Sequence, residues 1–230
     1  MRDFVFPAAA TPSIAVTGIQ QRFPVHRIYC VSRNYAVGTR EISADPPGFF
    51  LKPADAVVTN GSAVPYPPRT SNCQHEIELV IAIGRQGRDV SEHQALDYVF
   101  GYAVGMDLTR RDLQRAAKQG GQPQDTAKAF DWSAPVAAIR PAAQGHVAAG
   151  RIWLSVNDQL RQEGDVKQML WGPAHIIAEL STFYELKPGD LIFCGTPGGV
   201  GPVWPGDRLE GGVEGLENLK ISIAGASRRG

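Results

Sequence analysis

The sequence predicts an α+β protein that is rich in strands and built on a mixed β-roll or β-sandwich. Short apolar runs with many β-branched residues recur along the chain and outnumber the segments with helical spacing. Glycine and proline are abundant, with 25 and 17 residues among 230, which indicates many turns. Helical segments do not alternate regularly with strands, so the pattern does not indicate repeated βαβ units.

Composition restricts the classes of protein to which the chain can belong. Lys and Arg together number 23, and so do Asp and Glu, so no net charge would attract nucleic acid or an acidic membrane. We find no signal peptide and no apolar run long enough to span a bilayer, and we expect a cytoplasmic protein. Cys30, Cys73 and Cys194 are scattered, which predicts neither a disulfide framework nor a zinc site, and we expect Cys30 and Cys194 to be core strand residues.

The chain is predicted to have two parts. Residues 1–25 contain scattered prolines and short apolar pieces, which predict an N-terminal arm with one or two edge strands. Residues 26–225 are predicted to form a single domain. Its predicted strands are 27–31, 49–53, 76–84, 98–106, 152–156, 159–162, 191–194 and 219–223. Asn157 and Asp158 predict the turn of a hairpin between two of them.

Four helices are predicted between these strands. Asn34, Ser91 and Thr109 are candidate N-caps for three of them, the first of which runs toward Glu41. Two successive glycines after residue 119 predict the end of the third helix. Residues 173–184 have apolar side chains at helical spacing, which predicts an amphipathic helix.

Two glutamates at the head of a predicted strand are the first candidates for chemistry. Side chains alternate along a strand, so Glu76 and Glu78 share one face while His75 points the other way. Asp107 stands at the end of the next long strand. Three such carboxylates suit a hard cation, Mg²⁺, Mn²⁺ or Ca²⁺, and leave coordination positions open for a substrate. The alternatives are a strand edge with solvated glutamates, and an Asp107 that only caps the following helix.

Other polar residues are candidates for substrate binding. Lys128 could neutralise an oxyanion, although a lone lysine is often only solvated. Arg111 and Gln114 lie three residues apart on one predicted helix face and could hold a carboxylate; the alternative is an exposed face. The glycine-rich run that contains Thr196 offers backbone N–H groups and a hydroxyl to a carboxylate, or is only a tight turn.

Six short motifs follow one another along the chain. They are YCVSRNY at 29–35, FLKP at 50–53, E-x-E at 76–78, the segment from GY to DLTRRD at 101–112, KAFD at 128–131 and GTPGGVG at 195–201. Their residues and order, from about residue 22 to 223, resemble the fumarylacetoacetate hydrolase family. They are similar in particular to its fumarylpyruvate hydrolase, or acylpyruvate hydrolase, members.

The resemblance implies a metal-dependent enzyme with the mixed β-roll of the family's C-terminal domain, usually a homodimer, that acts on a small 2-oxo acid or diacid in aromatic (gentisate) catabolism. It implies that Glu76, Glu78 and Asp107 bind Mg²⁺ or Mn²⁺, and that Lys128 stabilises negative charge on the substrate. Glu41 matches the catalytic glutamate of the family's lid. The substrate-binding residues that it implies are Arg33, Arg111, Gln114 and Thr196.

One departure from the family pattern leaves the reaction open. The histidine that pairs with the lid glutamate and activates water is replaced by Gly38. A hydrolase of carbon–carbon bonds in ketonic substances, such as fumarylpyruvate, is the first interpretation. A decarboxylase or tautomerase of a β-keto acid such as oxaloacetate needs no attacking water and is the second. A non-catalytic binder of 2-oxo acids is the third.

Overall fold

A computed structural model describes residues 4–36 and 48–225 of the chain. Its strands are β1 (Ser13–Ile14), β2 (Phe23–Pro24), β3 (Arg27–Ser32), β4 (Gly48–Lys52), β5 (Val57–Thr59), β6 (Ala63–Pro65), β7 (Cys73–His75), β8 (Ile77–Ile83), β9 (Val99–Met106), β10 (Thr109–Arg110), β11 (Ala134–Val136), β12 (Arg140–Pro141), β13 (Arg151–Val156), β14 (Gln159–Asp165), β15 (Asp190–Phe193), β16 (Gly201–Pro202), β17 (Arg208–Val213) and β18 (Leu219–Ala224). The α-helices are α1 (Arg111–Gln119), α2 (Asp125–Lys128) and α3 (Pro173–Phe183). Short 3₁₀ helices cover Ala54–Ala56, Glu92–Tyr98, Ala142–Gln144 and Val166–Gln168.

The largest sheet has eight strands in the order β4-β3-β15-β8-β9-β11-β5, with β12 paired to β9. Strands β15 and β3 run parallel, as do β11 and β5, whereas β8 is antiparallel to both of its neighbours. The sheet is therefore mixed. Together with the two smaller sheets described below, it confirms the predicted strand-rich α+β fold of the β-roll type.

A second sheet has five strands in the order β14-β13-β17-β18-β6. Strands β13 and β14 form the predicted hairpin, and the φ angles of Asn157 and Asp158 at its turn are 50° and 64°. Two successive positive φ angles are typical of a type I′ turn, whose twist matches that of the paired strands. The hairpin brings Gln162, in the middle of β14, to the start of β8, where the Ile77 N–H donates to its side chain.

A small sheet of three strands, in the order β10-β7-β16, joins three distant segments of the chain. It pairs Cys73 with Arg110, and His75 with Gly201. The start of β8, the start of α1 and the end of the glycine-rich loop are therefore held at one place. The candidate site lies there.

Strand β8 is buried along its whole length because both faces of the large sheet are covered. Leu79 belongs to a hydrophobic cluster that includes Leu154 of the five-stranded sheet and Leu180 of α3. Val80, on the opposite face, belongs to a second cluster that Ile14 joins from the predicted N-terminal arm. Burial of each such side chain contributes about 2 kcal/mol. The division of the chain at residue 25 stays a prediction.

Two of the predicted helix starts differ from the structure. The segment after Ser91 is a 3₁₀ helix, and the Ser91 side chain makes no capping hydrogen bond to the backbone. Thr109 does not cap α1, because it lies in β10 and the helix begins at Arg111. The Asn34 side chain donates to the carbonyl oxygens of Trp171 and Cys194, and its role as a cap stays a prediction because the segment toward Glu41 lies outside the described residues.

The other predicted helices agree better with the structure. Helix α1 ends at Gln119, directly before the first of the two glycines, and α3 covers nearly all of the predicted segment 173–184. None of the helices in the described ranges has the length and apolar character that a bilayer crossing requires.

Candidate active site

The end of the β8–β9 ladder brings the predicted carboxylates together. Ile77 is paired with Met106, and one step further the Asp107 N–H donates to the Glu76 carbonyl at 2.8 Å. Glu78 lies two residues beyond Glu76 and shares its face of the strand. Ligand atoms of Glu76, Glu78 and Asp107 all lie within 4.8 Å of one another, and all three residues are buried.

Cations surround two of the three carboxylates. Lys128 Nζ lies 2.7 Å from Glu76 Oε2 and 2.5 Å from Asp107 Oδ2. Arg111 pairs with the other oxygen of Glu76, and Lys52 Nζ lies 2.8 Å from Asp107 Oδ1. The alternative that Asp107 only caps a helix is therefore wrong.

The third carboxylate, Glu78, has a different environment. Its Oε2 accepts a hydrogen bond from the Gly195 N–H at 2.6 Å. Within the described ranges, no lysine, arginine or histidine forms an ion pair with it. Burial, and next the carboxylates of Asp107 and Glu76, raises the pKa of Glu78 well above its ordinary value of 4.5.

For Asp107 and Lys128, the neighbouring charges outweigh the effect of burial on the pKa. Burial alone would raise the pKa of Asp107, but Lys128 and Lys52 hold it below 3.8. Burial alone would lower the pKa of Lys128, but Asp107 and Glu76 raise it above 10.5. Each of the two groups therefore favours the charged form of the other.

The acidic cluster fits a hard divalent cation. It offers oxygen ligands from three residues, as Mg²⁺ and Mn²⁺ prefer, and the buried Glu78 lacks a positive partner that an ion would supply. This confirms the prediction of a buried acidic triad able to bind Mg²⁺ or Mn²⁺. The alternative of solvated glutamates on a strand edge is wrong, since Glu76 and Glu78 are buried.

Helix α2 places Lys128 inside the site and not in solvent. The side chain is buried, and its Nζ also donates to Thr109 Oγ1 at 2.6 Å. Lys52 donates to the carbonyl oxygens of Leu108 and Lys128, which fixes the backbone at both sides of the cluster. The solvated alternative for Lys128 is therefore wrong.

Helix α1 supplies one wall of a cavity of about 840 Å³ beside the acidic cluster. Arg111 donates to Gln114 Oε1 at 2.5 Å and to Gln74 Oε1 at 2.7 Å, so its guanidinium is held in place. The alternative that Arg111 and Gln114 form an exposed face is wrong, because Gln114 is buried and both line the cavity. Arg33 and Thr196 also line it.

The glycine-rich loop supplies the opposite wall. Gly195 has a φ of +92°, and a Cβ at this position would lie 2.8 Å from the Asn34 Cβ. Only glycine combines this backbone conformation with so close an approach. The loop is thus a tight turn, and it also presents its Gly195 N–H to Glu78 and the Thr196 side chain to the cavity.

Some residues at the site were not predicted from the sequence. Lys52 carried a signal, because it is a lone cation between apolar residues of a strand. Thr109 stands two residues after Asp107 but was assigned to a helix cap. Gln162, which bonds to Thr196, carried no signal, because the structure brings it there from the hairpin 85 residues beyond Ile77. Glu41 and Gly38 lie outside the described residues.

Comparison with known proteins agrees with the fold and with the site. The model of the fumarylacetoacetate (FAA) hydrolase C-terminal family matches residues 27–224. The chain is 46% identical over 178 residues to fumarylpyruvate hydrolase of Ralstonia sp, covering 77% of this chain and 93% of that one. It is 41% identical over 202 residues to mitochondrial oxaloacetate tautomerase of Homo sapiens, covering 85% and 90%.

A solved structure shows the same architecture. Fumarylpyruvate hydrolase of Pseudomonas aeruginosa, in complex with Mn²⁺ and pyruvate, is 45% identical and superimposes with a TM-score of 0.92. The match covers 96% of this chain and 99% of that chain. From the matched family model, these relatives and the shared fold, it follows that this chain belongs to the fumarylacetoacetate hydrolase family.

Proposed function

We propose that the protein is a metal-dependent hydrolase that cleaves the carbon–carbon bond of an acylpyruvate such as fumarylpyruvate, giving pyruvate and a carboxylic acid. One observation carries the proposal. The Lys128 ammonium bridges Glu76 and Asp107 of the acidic cluster, and the Arg111–Gln114 pair lies in the same cavity. The relatives named as fumarylpyruvate hydrolases support the same assignment.

The charges of the site suit an anionic substrate. A divalent ion held by Glu76, Glu78 and Asp107 would act as a Lewis acid on the 2-oxo acid end of the substrate. Lys52, Lys128 and Arg111 pair with Glu76 and Asp107 and equal the three carboxylates in number, so a divalent ion and a substrate anion would add compensating charges to the site. No unpaired charge is then left buried.

The side chains around the cavity have distinct roles in this proposal. Arg111, Gln114 and Thr196 bind the polar groups of the 2-oxo acid, and Arg33 lies at the exposed edge of the cavity. Water adds to the distal carbonyl carbon, the carbon–carbon bond breaks, and its electron pair passes to the pyruvate fragment as an enolate that takes up a proton. Lys128 stabilises the negative charge of this leaving fragment.

Helix α1 also favours a substrate with a second negative group. Lys118 lies seven residues after Arg111, on the same helix face, and lines the cavity at its exposed rim. Partial burial, and next the positive charges of Arg111 and Lys128, lowers the pKa of Lys118. The rim is therefore a region of positive potential that would attract the distal carboxylate of a diacid.

A second candidate function is tautomerisation or decarboxylation of a β-keto acid such as oxaloacetate. Gly38 in place of the water-activating histidine favours it, because enolisation needs no attacking water. The relatives named as oxaloacetate tautomerases support it as well. General base catalysis contributes about 10²–10⁴-fold, so its loss would slow hydrolysis without removing the contribution of Lys128.

Turnover assays separate these functions. Purified protein with saturating Mn²⁺ or Mg²⁺ is given fumarylpyruvate, and release of pyruvate and fumarate is followed; the metal-depleted protein is the control. We expect stoichiometric pyruvate, and Gly38→His is expected to raise the rate. The hydrolase would be rejected if fumarylpyruvate gave no pyruvate while oxaloacetate underwent metal-dependent enol–keto exchange or decarboxylation. Binding of oxalate without turnover of any acid would leave a non-catalytic binder.

The homodimer, the cytoplasmic location and the role in aromatic (gentisate) catabolism that the resemblance implies are also proposals. Exposed large apolar side chains such as Phe183 and Leu160 are compatible with a protein–protein contact. Sedimentation equilibrium tests the dimer, and a monomer at micromolar concentration would reject it.

A further inference from the structure

Gln162 is a buried polar residue on a strand that is otherwise largely exposed. It is 1% exposed, whereas most of β14 faces solvent or is only partly covered. Its Oε1 accepts from the Ile77 N–H at 3.1 Å, and its Nε2 donates to the Pro197 carbonyl at 3.0 Å. A backbone N–H can only donate and a carbonyl can only accept, so the two ends of the amide are unambiguous. Its orientation is set by the backbone on both sides.

The fixed amide determines the remaining hydrogen bonds around it. His75 Nδ1 lies 2.8 Å from Gln162 Oε1, so this nitrogen carries a proton and donates. The second Nε2 proton of Gln162 donates to Thr196 Oγ1 at 2.9 Å. The Thr196 oxygen is therefore an acceptor on the side that faces Gln162, and the proton of its own hydroxyl must point elsewhere.

The direction left for that proton is the cavity. Thr196 lines the cavity next to Gly195, whose N–H binds Glu78 of the acidic cluster. In the parts of the chain that the structure describes, the Thr196 hydroxyl donates to no protein acceptor. An anionic oxygen in the cavity would supply the missing acceptor, and such charge-assisted bonds are among the stronger ones.

We propose that Gln162 is a positioning residue, which turns the Thr196 hydroxyl proton into the cavity so that Thr196 donates to the carboxylate of a bound 2-oxo acid. The inference rests on the proposed function in one respect, that a carboxylate binds beside Thr196. Without the amide, the Thr196 hydroxyl is free to rotate its proton away from the cavity. Its lone pairs would then face the substrate anion and repel it.

A double-mutant cycle tests this role by the binding of oxalate, which needs no turnover. Oxalate is titrated calorimetrically into Mn²⁺-loaded wild-type protein, Gln162→Met, Thr196→Val and the double variant. Each single substitution is expected to weaken oxalate binding about tenfold, as for the loss of one hydrogen bond to a charged group. The double variant should bind within about twofold of Thr196→Val, because both changes remove the same bond.

If Gln162 had only a structural role, the double-mutant cycle would give a different result. If Gln162 only holds β14 against β8, Gln162→Met weakens oxalate binding equally with and without the Thr196 hydroxyl, which overturns the inference. Unchanged affinity in folded Gln162→Met overturns it as well. Gln159→Met, at an exposed position on the same strand, is the matched control and should bind oxalate like the wild type.

Neutron diffraction of the deuterated wild-type protein with Mn²⁺ and oxalate keeps the test decisive should Gln162→Met fail to fold. The Thr196 deuteron should point to oxalate; a deuteron pointing to Gln162 overturns the inference. If the two substitutions are fully coupled in oxalate binding but fumarylpyruvate gives no pyruvate, only the proposed reaction is rejected. If fumarylpyruvate is turned over but the effects of Gln162→Met and Thr196→Val on oxalate binding are additive, only the inference is rejected. If the wild type does not bind oxalate, both the inference and the proposed function are rejected.

Discussion

Lys52 Nζ lies 2.8 Å from Asp107 Oδ1, and neither side chain is reached by solvent. Removal of one partner of a buried ion pair costs about 3–5 kcal/mol when the other is left uncompensated; Asp107 would still pair with Lys128, so the lower end of this range applies. We therefore expect Lys52→Met to lower the free energy of unfolding by about 3 kcal/mol, measured by urea denaturation. Lys167→Met is the control, because Lys167 is 68% exposed in its pair with Asp165 and should change stability by less than about 0.5 kcal/mol. Equal effects of the two substitutions would contradict this view of Lys52.

The two glycines Gly195 and Gly198 should respond differently to alanine. At Gly195 the φ of +92° and the 2.8 Å approach to Asn34 leave no room for a methyl group, whereas a Cβ at Gly198 meets nothing within 4 Å. We expect Gly195→Ala to destabilise the protein by about 2 kcal/mol and Gly198→Ala by less than about 0.5 kcal/mol, in thermal or urea unfolding. A stable Gly195→Ala protein would show that the loop has another conformation.

Glu78 should reduce the stability of the metal-free protein. It is buried beside two other carboxylates and has only the Gly195 N–H as a partner among the interactions described above. We expect Glu78→Gln to raise the melting temperature in EDTA by about 3 °C, because the amide removes the charge and can still accept that bond. Addition of Mn²⁺ should stabilise the wild type and leave Glu78→Gln unchanged.

A matched control separates this effect from the general loss of a charge. Glu92 is 62% exposed near His175, so Glu92→Gln should melt like the wild type with and without Mn²⁺. Stabilisation of Glu78→Gln by Mn²⁺ equal to that of the wild type would show that Glu78 is not a ligand.

Lys118 should discriminate between diacids and monoacids. Its ammonium lies at the cavity rim, beyond Arg111, where the distal carboxylate of fumarylpyruvate would lie in the proposed function. We expect Lys118→Met to raise the KM for fumarylpyruvate about tenfold and the KM for acetylpyruvate, which lacks that carboxylate, less than about twofold. Arg115→Met, exposed on the same helix, is the control. A proportional loss with both substrates would contradict a role in selecting diacids.

Asp112 should make the stability depend on pH in the acid range. Burial alone would raise its pKa, but hydrogen bonds from the Thr70 hydroxyl and the Ser71 and Leu113 amides hold it below 3.8. A lowered folded-state pKa means that the stabilisation is present above the unfolded value and is lost as the pH falls through the folded value. Urea denaturation from about pH 7 to about pH 3 should show Asp112→Asn about 1 kcal/mol less stable than the wild type at neutral pH, with a difference that shrinks as the pH falls toward the lowered folded-state pKa.

The exposed Asp97 supplies the comparison for that pH series. Asp97→Asn should follow the wild type over the whole range, because the Asp97 side chain makes no such set of bonds in the described structure. A difference between wild type and Asp112→Asn that persisted undiminished at the acid end would mean that the carboxylate charge is not the cause.

Local sequence pattern was sufficient where one segment determines the structure. The apolar runs before Gly84 and before Asp107 predicted β8 and β9, and alternation along the strand placed Glu76 and Glu78 on one face. Thr109 was misassigned because a threonine before a helical segment is typical of a cap, whereas its pairing with Gln74 is a contact between distant segments. Pairing of this kind has no signature in a single sequence.

The same limit applies to the partners of the acidic cluster. Lys128, Arg111 and the carboxylates could be proposed from the sequence, but the burial of Lys128 between Glu76 and Asp107 could not. Gln162 reaches Thr196 only because the β13–β14 hairpin folds over the start of β8. Its sequence context is that of an exposed hairpin strand, so only the tertiary structure shows its contact with the site.

Strand β8, covered on both faces, has one further consequence. Backbone amides of such a central strand exchange with solvent only when the whole domain opens. The three carboxylates of the acidic cluster repel one another, but they therefore cannot move apart by local unfolding of this strand. We therefore expect the metal-free protein to keep the three carboxylates close together, at a cost in stability that a bound cation would relieve.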